Sequence, residues 1–329
     1  MSEPNVAEGI AYWTSQPATL DGVLGGFGTG SLPRVDALGS RQFLLNLFPE
    51  LSTVPSSLKP LRDTSPKQPI RALDVGAGVG RVTRDILLHL VPHVLLLEPV
   101  QPFIQEALSG AKASISNPDT LKYQQWTGLA DKSKSVTFVQ GTLQDCDPAH
   151  PLSSSSTKFL DRLGYVPPDG DSLSDINSGF DVIWCQWCLG HLTDDDLISF
   201  FKRSKDALRT DNGFPGRSLI VVKENCCSDT PIGEARTVFD DSDSSFTRSD
   251  LAWKETFRKA GLRLVKEQVQ EGLPDGLYIV RTQVIYNVLA IKTLKSIINI
   301  SDPEQRNVIN EQKEGTVLEM LYKTRNAGM

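Results

Sequence analysis

Residues 71–81 read RALDVGAGVGR, and this stretch decides the fold. An apolar run leads directly into three closely spaced glycines, and a helical pattern follows as far as Leu90. Glycines have no β-carbon, so the backbone can turn sharply there and a ligand can approach it closely. A second apolar run ends in Glu98, about 20 residues further on, where a carboxylate can accept both hydroxyls of a ribose. The pattern predicts a cradle for a cofactor that contains a nucleoside.

The spacing of the glycines narrows the choice of cofactor. They form GxGxG rather than the GxGxxG of dinucleotide-binding proteins, and no Lys-Ser/Thr pair follows them to hold phosphates. S-adenosylmethionine (SAM), which contains a ribose but no phosphate, fits this pattern. A glycine-rich turn also occurs between a strand and a helix that bind nothing, so the motif alone is weak. Asp74 and Glu98, before and after the turn, favour the SAM interpretation.

The composition describes an ordinary globular protein. The chain has 329 residues, of which 39% are hydrophobic and 22% are charged. Its net charge of −6 argues against non-specific binding to nucleic acid, and it shows neither a signal pattern nor a membrane-spanning run. Five cysteines without a secretion signal indicate reduced thiols, so we expect a cytoplasmic and also a nuclear location. Cys185 and Cys188 have CxxC spacing but lie in an apolar run, and no metal site is expected.

Hydrophobic periodicity divides the chain into three parts. We expect an N-terminal flap and helical arm in residues 1–70, the cofactor-binding domain in 71–290 and a C-terminal extension in 291–329. The Ser-, Asp- and Pro-rich residues 146–179 are interpreted as an inserted surface loop. Strands are predicted at 72–75, 94–97, 136–139, 180–187, 217–222, 262–269 and 277–286, and helices at 42–47, 81–90, 102–113, 194–208 and 250–260. This alternation predicts an α/β fold with a seven-stranded, mostly parallel, Rossmann-like sheet.

Residues at the carboxyl ends of the strands are the candidates for chemistry, because ligands bind there in such sheets. Gln144 follows the third strand, where an adenine is usually read, and Gln186 and Trp187 follow the fourth, where the reactive methyl would lie. Trp187 is interpreted either as a clamp on the substrate or as an ordinary core residue. His191 is either structural or a proton acceptor. The acidic residues 240–245 form either a solvated loop or a site for an ammonium or guanidinium group.

Several stretches resemble the protein α-N-terminal methyltransferases. The most specific is WCQWCLGHLTD, residues 184–194. Further similarity lies in Lys223-Glu224-Asn225, residues 240–245, residues 270–274 with Tyr278, and Tyr12-Trp13 with Leu24–Gly28. The resemblance runs through most of residues 11–286. It implies the fold of SAM-dependent methyltransferases with an N-terminal flap, and methylation of the α-amino group of proteins whose N-terminus reads X-Pro-Lys or X-Pro-Arg.

The resemblance also implies roles for individual residues. The residues expected to bind SAM, and its product S-adenosylhomocysteine, are Gly76, Gly78, Arg81, Glu98, Leu143, Gln144 and Gln186. The residues expected to bind the substrate are Trp13, Leu24, Gly25, Trp187, Asn225, Asp240, Ser245 and Tyr278, with Asp240 pairing with the third-residue Lys or Arg. An α-ammonium with a pKa of about 8 must lose its proton before it can attack a methyl group. Asp243 and His191 are the natural pair to accept that proton.

Two other functions remain open at this point. A small-molecule SAM-dependent N- or O-methyltransferase would use the same cofactor without needing an acidic loop. A non-catalytic SAM-binding scaffold would keep the glycines and Glu98, but it would not need both Asp243 and His191. We expect the partners to be protein or peptide substrates with a free X-Pro-Lys/Arg N-terminus, with no nucleic acid and no membrane, and the chain to act as a monomer.

Overall fold

The computed structural model describes residues 2–52, 69–117, 124–210 and 218–287. The strands are Arg71–Val75 (β1), His93–Glu98 (β2), Ser135–Gln140 (β3), Lys158–Gly164 (β4), Val182–Gln186 (β5), Leu219–Cys227 (β6), Thr237–Asp240 (β7), Ser245–Ser249 (β8), Leu262–Val269 (β9) and Ile279–Asn287 (β10). The α-helices are Val6–Ser15 (α1), Leu20–Val23 (α2), Leu32–Leu47 (α3), Arg81–Asp85 (α4), Gln101–Ser116 (α5), Asp194–Asp206 (α6) and Asp250–Lys259 (α7). Short 3₁₀ turns lie at Pro49–Leu51, Leu87–His89 and Leu189–His191.

One sheet, with the strand order β4-β3-β2-β1-β5-β6-β10-β9, forms the centre of the molecule. The strands from β3 to β6 in this order are parallel, and β10 is antiparallel to both of its neighbours. Every residue of β1, β2 and β5 is buried, as expected for parallel strands covered on both faces. Side chains of α3, α4 and α5 belong to one apolar core, and those of α6 and α7 belong to a second. The predicted Rossmann-like α/β class is confirmed.

Within the described residues the sheet has ten strands, so the predicted number of seven is wrong. Residues 146–179, interpreted as a surface loop, contain β4, which pairs antiparallel with β3 at the edge of the sheet. Leu160 and Leu163 of β4 pack against the core, and Arg162 donates to Asp175 and Ser135. Charged residues between the apolar ones hide the strand in the sequence. Residues 240–245 are likewise the turn of a hairpin between β7 and β8.

The N-terminal arm contains a longer helix than the predicted 42–47. Helix α3 spans Leu32–Leu47, and its buried face includes Phe43 and Leu44. Asp36 and Ser40 lie on the same buried face and are fully enclosed. These polar residues interrupt the apolar pattern, which is why the first part of the helix escapes prediction.

The glycine turn after β1 adopts left-handed backbone angles. Gly76 has φ 61° and Gly80 has φ 76°, a region that residues with a β-carbon rarely occupy. A β-carbon on Gly80 would lie 2.4 Å from the Trp126 ring, so this position also needs the missing side chain. The single helix predicted over 81–90 is instead α4 followed by a 3₁₀ turn, because Ile86 leaves helical geometry at φ −123° and ψ −65°.

No helix within the described ranges is long and apolar enough to cross a membrane. The predicted C-terminal extension, residues 291–329, lies outside the described residues.

Candidate active site

A cavity opens at the carboxyl ends of the central strands, under the N-terminal helix α1. Its empty volume is about 950 Å³, a figure that includes the open solvent at its mouth. The predicted site residues that line it are Gly76, Gly78, Arg81, Glu98, Leu143, Gln144, Gln186, Trp13, Leu24, Trp187 and His191. All seven predicted cofactor residues are in this group, although their roles stay predictions. The remaining predicted site residues are Gly25, Asn225, Asp240, Asp243, Ser245 and Tyr278, which lie outside the lining.

Glu98 connects the end of β2 to the glycine turn. One carboxylate oxygen accepts the Gly78 N–H at 2.8 Å, and the other accepts the Val100 N–H at 2.7 Å. Burial raises the pKa of Glu98 to about 7, although these two backbone donors favour the charged form. The carboxylate faces the cavity from the position where a ribose would lie. This arrangement fits the nucleoside part of SAM.

Asp74 supports the glycine turn from below. It is buried and accepts a hydrogen bond of 2.6 Å from the Thr83 hydroxyl of α4. Burial raises its pKa to about 7, and the Thr83 and Arg81 side chains oppose that shift. Asp74 therefore ties α4 to the loop, and the carboxylate that faces the cavity is that of Glu98.

A buried charged network that the sequence analysis missed lies behind the cavity. Asp36 of α3 is fully buried and pairs with Arg81 at 2.5 Å and with Lys223 of β6 at 2.6 Å. The Gln186 amide donates to both Asp36 oxygens, at 2.9 and 3.0 Å. Lys223 also donates to Ser40 at 2.9 Å. The network fixes Arg81 and Gln186 at the cavity wall.

One sequence signal could have revealed this network. Lys223 directly follows an apolar run in β6, and a lysine enclosed in a strand needs a charged partner. The partner, Asp36, lies on a helix nearly 190 residues earlier in the chain, so sequence reasoning alone could not identify it.

Trp187 occupies a strained position at the end of β5. Its φ is 55°, and its ring lies 5.2 Å from the Arg81 guanidinium. Among the described residues, no partner lies within hydrogen-bonding distance of its buried indole nitrogen. A non-glycine residue in this backbone region costs about 1–3 kcal/mol, and such strain is concentrated at functional sites. The orphaned indole nitrogen at the cavity wall fits a residue that contacts a ligand.

Glu224 holds the loop that follows Trp187. One of its oxygens accepts the N–H groups of Cys188 and Leu189, each at 3.0 Å. Burial raises the pKa of Glu224 to about 7, against the effect of these donors and of Arg248. The carboxylate thus caps the 3₁₀ turn that ends at His191.

His191 lies at the cavity wall against α1. The Trp13 indole N–H donates to His191 Nε2 at 2.9 Å, and the two rings meet edge to face. His191 Nδ1 is buried and has no hydrogen-bonding partner in the described part of the chain. Burial lowers the pKa of His191, and the nearby Asp243 carboxylate and the Ser244 backbone oppose that shift. The indole N–H of Trp13 keeps Nε2 as a hydrogen-bond acceptor.

Asp243 lies in the β7–β8 turn, next to α1 rather than in the cavity wall. Its Oδ1 is buried without a partner among the described residues. Ser244, at φ 54°, accepts the Asn5 N–H at 2.9 Å and donates to Glu8 at 3.0 Å. These bonds seat α1 on the turn, so that both proton acceptors of the prediction lie beneath this helix.

Of the other predicted substrate residues, three lie around the end of β6. Cys226 pairs with Arg248 of β8 and with Ile279 of β10, which brings Asn225, Ser245 and Tyr278 to one end of the sheet. Tyr278 is 51% exposed. Asp240 is exposed and accepts two hydrogen bonds from Ser242, at 2.9 and 2.6 Å, which lower its pKa. Gly25 has φ 57° with open space where a side chain would be.

The parallel sheet, the glycine turn and the cavity beside Glu98 define a SAM-dependent methyltransferase of the Rossmann-like class. A family model described as AdoMet dependent proline di-methyltransferase matches residues 2–163 and 164–286. The chain belongs to this family, and the resemblance seen in its motifs is confirmed.

Known relatives cover most of the chain. It is 32% identical over 275 residues to an alpha N-terminal protein methyltransferase 1 of Schizosaccharomyces pombe, covering 84% of this chain and 93% of that protein. It is 32% identical over 268 residues to an N-terminal Xaa-Pro-Lys N-methyltransferase 1 of Bos taurus, covering 81% and 88%. A solved SAM-dependent methyltransferase of Leishmania major has a TM-score of 0.56 and 28% identity, covering 85% and 82%.

Proposed function

We propose that this enzyme uses SAM to methylate the α-amino group of proteins whose N-terminus reads X-Pro-Lys or X-Pro-Arg. The observation that carries the proposal is the position of His191 and Asp243 under α1, each with a buried nitrogen or oxygen that has no partner in the described structure. Family membership and the names of relatives that act on Xaa-Pro-Lys N-termini support the same conclusion.

The chemistry requires a neutral amine. SAM supplies a methyl group that is already activated by its bond to a positive sulfur. The substrate, however, arrives as an α-ammonium with a pKa of about 8, so the enzyme must accept one proton. Asp243, with His191 beside it, provides an acceptor for that proton beneath α1, where Asp243 Oδ1 is buried. Positioning and deprotonation together account for the catalysis that the chain must provide.

The cavity wall assigns separate tasks to the remaining residues. Glu98 would accept the ribose hydroxyls, while Arg81, held by the buried Asp36, would face the carboxylate of the methionine part. Trp187 would hold the N-terminal segment of the substrate, using the indole nitrogen that lacks a partner in the described structure.

The acidic turn would select the substrate's third residue. Asp240 and Asp241 are exposed in the β7–β8 turn, which continues directly into Asp243 and Ser244 beneath α1. A Lys or Arg at the third position could therefore pair with the turn while the α-amine reaches Asp243. We further propose that the enzyme acts as a monomer, in the cytoplasm and also in the nucleus, on proteins and not on nucleic acid.

A peptide comparison tests this function. Purified enzyme is incubated with SAM and either Ser-Pro-Lys-Ala or Ser-Pro-Gln-Ala, and mass spectrometry follows the gain of methyl groups. We expect methylation of the Lys peptide and a kcat/KM for the Gln peptide that is lower by up to about fivefold, because an exposed charged pair contributes at most about 1 kcal/mol. Equal rates for the two peptides would contradict the proposed contact with the third residue. No methylation of either peptide, with SAM bound, would favour a small-molecule substrate.

A further inference from the structure

The hydrogen bond between Trp13 and His191 has a chemical consequence for the histidine. An indole nitrogen can only donate, so His191 Nε2, which receives the bond at 2.9 Å, must carry a lone pair. In a neutral imidazole the proton then resides on Nδ1. A proton added to Nε2 would point at the indole N–H and break the bond. With Trp13 in place, His191 therefore has no basic nitrogen left for a substrate proton.

The seat of α1 keeps Trp13 in this position. At the start of the helix, the Asn5 N–H and the Glu8 carboxylate both bond Ser244. In its middle, Gly9 lies so close that a β-carbon there would be 3.1 Å from His191 Nδ1 and 3.5 Å from the Asp243 carbonyl oxygen. In its last turn, the Trp13 ring packs edge-on against Phe103. The helix therefore controls both nitrogens of His191.

The charged groups around His191 come from three elements. Asp243 lies in the β7–β8 turn, and Glu8 lies on α1. On the other side, Arg248 of β8 donates to the Leu192 carbonyl and pairs with Asp194 at 2.8 Å. The Asp243 carboxylate and the Ser244 backbone would favour a charged ring, whereas burial and the Trp13 donor favour the neutral one. Asp243 Oδ1 is the buried acceptor near His191 that has no partner among the described residues.

We propose that Trp13 is a positioning residue that fixes His191 in the tautomer with the proton on Nδ1, leaving Asp243 as the acceptor of the substrate proton while α1 is seated. The proposal rests on the proposed function and adds a division of labour between the two acceptors. One proton passes from the α-ammonium to the Asp243 carboxylate, which gives a neutral amine and a carboxylic acid. His191 stays neutral and directs its Nδ1–H to the side where Gly9 and the Asp243 turn lie.

Nitrogen NMR on the whole chain tests the tautomer without any substrate. The protein is labelled with ¹⁵N-histidine, and His191 is assigned among the four histidines with a His191→Asn variant. We expect the wild-type spectrum at pH 7.5 to show a protonated Nδ1 and an unprotonated Nε2. In Trp13→Phe, which keeps an aromatic ring, we expect a mixture of tautomers and an upward shift of the His191 titration. A wild-type ring protonated on Nε2 would overturn the proposal.

Kinetics then separate positioning from a merely structural role. Trp13→Phe should lower kcat about tenfold, which is the effect of losing one strong hydrogen bond between two neutral groups. It should also move the acid limb of the kcat–pH profile to higher pH, because His191 now titrates as well. The matched control is Tyr12→Phe, which removes a polar group from the adjacent residue of α1 and should leave the acid limb unchanged. A uniform loss of activity without a shift of the limb would contradict the proposal.

The two proposals fail in distinguishable ways. If X-Pro-Lys peptides are not methylated by the wild-type enzyme, the proposed function is wrong, whatever the NMR spectrum shows. If they are methylated and Trp13→Phe changes neither the His191 tautomer nor the pH profile, the assignment of Trp13 alone is wrong.

Discussion

The buried charge of Asp36 provides a stringent test of the structure. Its side chain is fully enclosed and is the counter-ion of both Arg81 and Lys223. Burial alone would raise the pKa of Asp36, but the two cations lower it below its ordinary value. In Asp36→Asn, the shape is kept and the two buried cations lose their counter-ion. Removing one partner of a buried ion pair costs about 3–5 kcal/mol, so we expect the free energy of unfolding to fall by at least 3 kcal/mol.

Urea unfolding followed by tryptophan fluorescence measures this loss. The matched control is Asp161→Asn, since Asp161 pairs with Lys112 at 2.7 Å but the two side chains are 33% and 53% exposed. That pair should contribute less than about 1 kcal/mol. Because the folded pKa of Asp36 is lowered, its contribution is present at neutral pH and is lost as the pH falls below about 4.

A further variant identifies the cause of the loss. Adding Lys223→Met to Asp36→Asn removes one of the two uncompensated cations, so we expect it to restore at least about 1 kcal/mol. A loss below 1 kcal/mol in Asp36→Asn, or a double variant less stable than the single one, would refute the network as the structure shows it.

Three further predictions concern the site itself. Asp243→Asn should lower turnover a hundredfold or more with an unchanged dissociation constant for SAM, measured by calorimetry; equal turnover would remove Asp243 from the reaction. SAM should bind more tightly as the pH rises through about 7, because the ribose hydroxyls donate to the ionised carboxylate of Glu98. The Glu98→Gln variant should bind SAM more weakly, and its affinity should not change between pH 6 and 8. Gly76→Ala should lower the melting temperature more than Gly78→Ala. Both glycines have positive φ, but only a β-carbon at Gly76 would meet Cys188, at 2.4 Å. Equal melting temperatures would contradict that packing.

The sequence predicts those parts of the fold in which local pattern and burial agree. Strands β1, β2 and β5 are buried on both faces, so they are continuous apolar runs, and the residues that end them lie at one edge of the sheet. The same rule brings Glu98, Gln186 and Trp187 to one cavity. Strand β4 is not predicted because Lys158, Asp161 and Arg162 interrupt its apolar residues.

Contacts between distant parts of the chain account for what the sequence does not predict. The Asp36–Lys223 pair joins a helix of the N-terminal arm to the sixth strand, and Asp36 lies in no motif. Trp13 is predicted to bind the substrate, and the structure shows in addition that its indole donates to His191, 178 residues later in the chain. Such pairings depend on where α1 and α3 lie on the sheet, which local periodicity does not determine.

Methylation of the α-amine of an X-Pro-Lys N-terminus can be distinguished from methylation of a side chain by blocking the α-amine. The enzyme and SAM are incubated with a Ser-Pro-Lys-Arg peptide and, in parallel, with its N-acetylated copy, and the products are weighed by mass spectrometry. Our account predicts the addition of one or more methyl groups to the free peptide and none to the acetylated one. Methylation of both peptides would move the reaction to the lysine side chain and contradict the account.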